Sequence, residues 1–226
     1  MAREREVQDH WFKEAKRLGW RSRAAFKLIE IDDKRHVLSR GDRVLDLGAA
    51  PGSWMQVASR RIGPKGLVVG IDLQPIRSGL DENNIHIIHG DAAALDESQL
   101  EQCGINPHLP FNVVLSDMAP STTGNRDTDH YRSIRLCQLV LEISARWLGP
   151  GGHVVLKTFE GPGSKDFVDL MKTMFETVRP AKPKASRSDS REMFLVGLNR
   201  VDDVEPFKTQ SDAVGGPPPV SPHWGS

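Results

Sequence analysis

Two cysteines, Cys103 and Cys137, are all that this chain of 226 residues contains. They are too few for a disulfide framework, and no Cys/His spacing of metal-ligand type accompanies them. A reducing compartment fits, so the expectation is a cytoplasmic protein without a metal site. No apolar run approaches the roughly 20 residues that a membrane-spanning helix needs. The N-terminus, Met1-Ala2-Arg3-Glu4-Arg5-Glu6, is charged where a secretory signal would be apolar, so no membrane partner is expected. Net charge is missing too. Thirty basic residues cancel thirty acidic ones, and the whole-chain balance does not mark a nucleic-acid binder. Internal repeats are absent.

What is present suits one ordinary globular domain with a substantial core: 38% hydrophobic and 27% charged residues. The charge is unevenly spread. Lys13 to Arg35 holds eight Lys or Arg against four Asp or Glu, and Arg179 to Arg191 holds five against one. A solvated face is the plain explanation of such clusters, and a phosphate-binding surface is the alternative.

Residues 1–40 read as a basic helical segment, with Trp11, Ala15 and Leu18, then Ala25, Leu28 and Ile29, at helical spacings. From Arg43 strands and helices alternate. Strands are expected at Val44–Leu47, Leu67–Ile71, Ile85–Ile88, Phe111–Leu115, His153–Lys157 and Glu192–Leu198. Helices are expected at Trp54–Arg61, Ser98–Cys103, Asp129–Trp147 and Lys165–Phe175. This alternation predicts an α/β domain over 41–200, an open doubly wound sheet whose last strand pairs antiparallel. Residues 201–226, with Gly215-Gly216-Pro217-Pro218-Pro219, read as a disordered tail.

The most informative stretch is Val44-Leu45-Asp46-Leu47-Gly48-Ala49-Ala50-Pro51-Gly52-Ser53-Trp54. It reads as a buried strand running into a ligand loop, where Gly48 permits a sharp turn and Gly52 a close backbone approach. Ser53 is placed to cap the following helix. The pattern D-x-G-x-x-P-G departs from the dinucleotide fingerprint at its first and last parts. A pyrophosphate asks for bare amides on a helix N-terminus. An amine-bearing ligand without phosphate asks for a nearby acid, which Asp46 supplies, and this favours S-adenosylmethionine over NAD. A simple tight turn is the competing explanation.

Other polar residues fall at strand ends, where ligands of such sheets bind. Asp72, after Val68-Val69-Gly70-Ile71, is placed to accept ribose hydroxyls. Asp91, in His89-Gly90-Asp91-Ala92, is placed to accept from an adenine amino group. Both fit ordinary turn aspartates as well. Asp117 follows Phe111-Asn112-Val113-Val114-Leu115-Ser116, and Lys157 ends His153-Val154-Val155-Leu156. A lysine closing an apolar central strand is costly to bury without a partner, and Asp117 on the neighbouring strand end would provide one. A lysine reaching out to solvent is the alternative.

These residues carry a family resemblance. The chain resembles the FtsJ/RrmJ family of large-subunit ribosomal RNA 2'-O-ribose methyltransferases. The likeness runs through Ser22-Arg23-Ala24-Ala25-Phe26-Lys27-Leu28, the Asp46 to Trp54 loop, Leu115-Ser116-Asp117-Met118-Ala119-Pro120, Lys157-Thr158-Phe159 and Ser190-Arg191-Glu192-Met193-Phe194. It implies a Rossmann-like methyltransferase fold, a mostly parallel seven-stranded sheet with helices on both faces. It implies a catalytic set of Lys27, Asp117, Lys157 and Glu192. It also implies an S-adenosylmethionine site at Gly52, Trp54, Asp72, Asp91 and Asp117. The implied substrate is a uridine ribose of large-subunit ribosomal RNA in the assembled subunit, acted on by a monomer. Sister groups with the same four residues modify tRNA or mRNA caps.

On that reading Lys157 is the candidate base, with steering of the oxygen as the alternative; burial and Lys27 would lower its pKa, Asp117 opposes them and holds its amine, and Glu192 orients Lys27 or the ribose. Lys13, Lys16, Arg17, Arg21, Arg23, Lys182, Lys184 and Arg187 are expected to hold RNA phosphates. A dehydrogenase would want the full glycine fingerprint. An amino-methylating enzyme would want Pro-Pro-aromatic where this chain has Asp117-Met118-Ala119-Pro120. A catalytically silent ribosome assembly factor would have no need of the four polar residues.

Overall fold

The computed structural model describes residues 2–80, 82–186 and 190–202, with side chains from His10 onward. Two helices, α1 (Ala2–Arg17) and α2 (Ala25–Arg35), lead into β1 (Arg43–Leu47), α3 (Ser53–Ile62) and β2 (Leu67–Asp72). There follow β3 (Ile85–His89), α4 (Glu97–Gln102), β4 (Phe111–Ser116), α5 (Arg126–Trp147) and β5 (Leu148–Phe159). The described chain closes with α6 (Ser164–Met174), β6 (Phe175–Ala181) and β7 (Glu192–Arg200).

All seven strands form one sheet in the order β3-β2-β1-β4-β5-β7-β6. The first five are parallel to their neighbours, and β7 runs antiparallel to both β5 and β6. Alternation along β1 divides the core. Leu45 and Leu47 pack with α4, α5 and α6 on one face, and Val44 packs with α2 and α3 on the other. Strand order reverses between β1 and β4, which opens a crevice beyond their C-terminal ends.

Three details differ from the sequence expectation. A strand, β6, follows α6 and was not read from the sequence. Its Phe-Glu-Thr-Val-Arg-Pro-Ala run contains Pro180, which cannot donate to a ladder and is tolerated because β6 is an edge. Helix α5 starts at Arg126 instead of Asp129, because Asn125 caps it by accepting from the amides of Asp127 and Thr128. Ser53 does not cap α3. The N-cap is Gly52 with no side-chain bond, and Ser53 Oγ lies 2.6 Å from Ser22 Oγ instead. Arg187 and the tail from 203 lie outside the described residues.

Candidate active site

The loop after β1 is folded by backbone bonds and by two glycines at positive φ. The amides of Gly48 and Ala49 both donate to Ile71 O at the end of β2, at 2.9 and 3.2 Å. Gly48 has φ +73°, and a Cβ there would stand 2.3 Å from Met118 Cγ. Gly52 has φ +100°, with Leu80 Cδ1 2.9 Å from where a Cβ would be. Because no side chain caps α3, the first-turn amides of that helix are left for a ligand.

Trp54, expected at the cofactor, turns its indole the other way. The ring is buried beside Phe194, with centroids 5.7 Å apart, and Nε1 donates to Ala24 O at 2.9 Å. Its backbone amide belongs to the first turn of α3, which no side chain caps. Asp72 closes β2 and binds the loop: Oδ2 accepts from Ala50 N at 2.8 Å and Oδ1 from Gln74 N at 2.7 Å. Asp91 is exposed and caps the short 3-10 turn Ala92–Ala94 through Ala93 N. The turn roles weighed for Asp72 and Asp91 are therefore both realised, and each carboxylate keeps lone pairs for a further donor.

Asp46 is a buried acid at the end of β1. It is 1% exposed, and its Oδ2 has no hydrogen-bond partner. Burial raises its pKa well above the ordinary aspartate range, and the charges of Asp117 and Asp72 push the same way. A cation set among these three acids would relieve that strain.

Lys27 from α2, Asp117 from the end of β4, Lys157 from β5 and Glu192 from the start of β7 converge across the sheet. Lys157 Nζ lies 2.9 Å from Asp117 Oδ1 and also donates to Asp117 O. Lys27 Nζ lies 2.7 Å from Glu192 Oε1 and 3.6 Å from Asp117 Oδ1. Lys157 Nζ to Glu192 Oε2 is 3.8 Å, which closes the ring of four charges. Both lysines are buried. Burial pushes Glu192 up, but the Lys27 ammonium, Lys157 and the Ser186 hydroxyl together hold its carboxyl below the usual range. The aspartate is shared by the two lysines, so it fixes the distance between them.

A support for Lys157 escaped the sequence reading. On α5, His130, Ser133 and Cys137 lie three and four residues apart, so they share one helix face. Cys137 Sγ donates to Lys157 O at 3.1 Å, and Ser133 Oγ accepts from Phe159 N at 3.1 Å. His130 joins Nδ1 to Phe159 O and accepts from Gly163 N at its other ring nitrogen. With Gly163 N–H donating to Nε2, Nδ1 is the ring nitrogen that donates, to Phe159 O. Burial pushes the Cys137 thiol up to about 12, so it serves as a donor and not as a nucleophile. Buried polar residues at this spacing on an otherwise apolar helix face were the available signal.

The expected phosphate-binding residues divide. Lys13 and Lys16 are exposed on α1, and Arg17 pairs with Glu14. Lys182 and Lys184 are exposed on the turn after β6, which rests on α2 through a Lys184 N to Glu30 Oε2 bond of 2.7 Å. Arg21 instead is half-buried and lies along the backbone of the loop after β1, donating to Pro51 O. Among the described residues no His/Cys/Asp/Glu group could hold a metal ion, and no helix is long and apolar enough to cross a membrane.

An FtsJ-like methyltransferase family model matches residues 20–200. The chain is 44% identical over 192 residues to the ribosomal RNA large subunit methyltransferase E of Syntrophobacter fumaroxidans, an alignment covering 85% of this chain and 95% of that protein. It is 44% identical over 197 residues to the enzyme of the same name from Desulfotalea psychrophila, covering 86% and 96%. A solved chain from Plasmodium falciparum, assigned as a ribosomal RNA methyltransferase, superposes with a TM-score of 0.72 at 29% identity, covering 81% of this chain and all of that one. With most of its length matched by the family and its sheet superposable on a relative's, this chain belongs to the FtsJ-like methyltransferases.

Proposed function

We propose that the chain transfers a methyl group from S-adenosylmethionine to the 2'-hydroxyl of a uridine ribose in large-subunit ribosomal RNA, acting as a cytoplasmic monomer on the assembled subunit. The observation that carries the reading is the ring of Lys27, Asp117, Lys157 and Glu192, closed by contacts of 2.7 to 3.8 Å beside the loop after β1. The names of the relatives supply the substrate class.

The residues present fit the donor. S-adenosylmethionine, when bound, supplies a methyl already activated by a positively charged sulfur. Asp46, Asp72 and Asp117 form an acidic crevice that a cationic ligand would relieve, and the uncapped start of α3 offers amides to a carboxylate. Gly52, Asp72 and Asp91 would line that site, with Trp54 contributing its backbone and Asp117 reaching both halves.

Lys157 takes the proton of the attacking hydroxyl at Nζ and passes it to solvent. Asp117 holds that amine from two atoms, its carboxylate and its carbonyl, so the nitrogen has one defined position. Lys27, tied to Glu192 at 2.7 Å, takes up the other side of the Asp117 carboxylate and so fixes where that acid holds Lys157. Holding the hydroxyl in line can supply about 7 to 11 kcal/mol of the barrier, more than any single charge here. The exposed Lys13, Lys16, Lys182 and Lys184 would take RNA phosphates without reading sequence.

The test is methyl transfer from labelled donor to hypomethylated large subunits, with tRNA alongside and Lys157→Ala as control. Alkali-resistant label on subunit RNA, lost in the variant, is expected. Label on tRNA alone would keep the chemistry and overturn the substrate. No label on either, with donor binding intact, would favour an assembly factor without catalysis.

A further inference from the structure

Arg21 was grouped with the phosphate-binding cations, and its donors are already committed. Nε donates to Pro51 O, Nη2 to Arg77 O at 2.6 Å and Nη1 to Ser78 O at 3.3 Å. The first carbonyl belongs to the loop after β1, one residue before Gly52. The other two belong to the segment after β2, beyond Asp72. One planar fork therefore joins the two stretches of backbone that face each other across the mouth of the crevice. The arginine itself is pinned, since its amide donates to Gln56 Oε1 at 2.9 Å while Gln56 Nε2 donates to Gly19 O at 3.3 Å. Its stem lies against Gly52, where a Cβ would stand 3.3 Å from Arg21 Cδ. Asp72 makes the matching brace from the opposite side, through Ala50 N and Gln74 N.

We propose that Arg21 is a positioning residue for the methyl donor: its guanidinium holds the segment after β2 at a fixed distance from the loop after β1, and it acts on donor affinity instead of RNA affinity. The proposal rests on the donor site proposed above. It explains why this cation is half-buried and spends its donors on backbone carbonyls while Lys13, Lys16, Lys182 and Lys184 are exposed. The same short segment also fastens α2. Ser22 Oγ meets Ser53 Oγ and Ala24 O accepts from Trp54 Nε1, so the brace begins six residues before Lys27.

Arginine and lysine separate the two roles. A lysine keeps the charge that a phosphate needs, but a single ammonium cannot reach three carbonyls in one plane. Arg21→Lys, Arg21→Gln and Arg21→Ala are prepared in the full chain. Binding of S-adenosylhomocysteine is measured by calorimetry, and binding of large-subunit RNA across a range of salt. All three variants are expected to weaken S-adenosylhomocysteine by roughly tenfold or more and to raise the donor KM in proportion. RNA affinity and its salt dependence should match the wild type. Amide exchange of residues 74–80 should quicken in Arg21→Lys, with global melting still cooperative. Wild-type S-adenosylhomocysteine affinity in Arg21→Lys, or an RNA affinity that falls in Arg21→Ala and returns in Arg21→Lys, would overturn the proposal. Should Arg21→Ala fail to fold, Arg21→Lys and Arg21→Gln decide alone. Failure of the wild-type protein to bind S-adenosylhomocysteine would instead sink the donor site itself.

Discussion

Replacing Lys157 with methionine keeps a stem of similar length on β5 and removes only the amine. Breaking a buried ion pair by removing one partner commonly costs about 3 to 5 kcal/mol, because the other charge is stranded. The stranding here is partial. Asp117 keeps Lys27 at 3.6 Å, and its side chain is 21% exposed. The cost should therefore fall to about 1 to 3 kcal/mol, which for a chain of this size lowers Tm by about 2 to 12 °C. The chemical loss should be far larger in relative terms. Removing a positioned proton acceptor costs about 10² to 10⁴ in rate. Single-turnover methyl transfer to hypomethylated subunits, with saturating donor and RNA, reads that loss directly. Lys157→Met should lower that rate at every pH at which both proteins stay folded. A variant within tenfold of wild type, with the same pH profile, would refute Lys157 as the proton acceptor and leave it a role in steering the hydroxyl.

Other perturbations follow from the same geometry. Asp46→Asn should raise the Tm of the donor-free protein at neutral pH, because the folded protein strains that carboxylate upward and the gain grows as pH rises above the ordinary aspartate value. Calorimetric titration of the same variant should show weaker S-adenosylmethionine binding. Glu192 is held below its ordinary pKa of 4.5, so its stabilising pairs are complete above that value and fade as pH falls through the lower folded value. Urea midpoints of wild type and Glu192→Gln should therefore differ at pH 7 and converge in acid, and an equal gap at every pH would contradict this. Gly52→Ala meets both a positive φ and Leu80, and should cost about 1 to 3 kcal/mol by chemical denaturation while weakening donor binding. Reversing Lys182 and Lys184 to glutamate should lower RNA affinity and flatten its dependence on salt by roughly one to two logarithmic units, with donor affinity unchanged.

Much of the fold was legible because hydrophobic periodicity and turn chemistry are local. The run from Val44 to Trp54 announced a strand, a glycine loop and a helix, and the structure has them within a residue or two. The strand holding Pro180 was not legible, since its weak pattern becomes a strand only where β7 offers an edge. The candidate site divides in the same way. Asp117 and Lys157 were visible as polar residues closing apolar strands, Lys27 and Glu192 only through the family resemblance, and the separations of the four span the chain from α2 to β7. No local rule says that Asp117 lies between two lysines.

Contacts through backbone were hidden more deeply. Nothing in the sequence told that Arg21 spends its donors on three carbonyls, that Trp54 turns its indole to Ala24 O, or that His130, Ser133 and Cys137 grip the chain around Lys157. The sequence by itself determined most of the order of strands and helices, the glycine loop and the family, because each is written in short stretches whose physics is local. Only the tertiary structure decided which charges pair, which carboxylate oxygen is left buried without a partner and which basic residue is tied to backbone carbonyls. Those outcomes depend on distances between segments far apart in the chain, and burial turns the same side chain from a solvated charge into a positioned one.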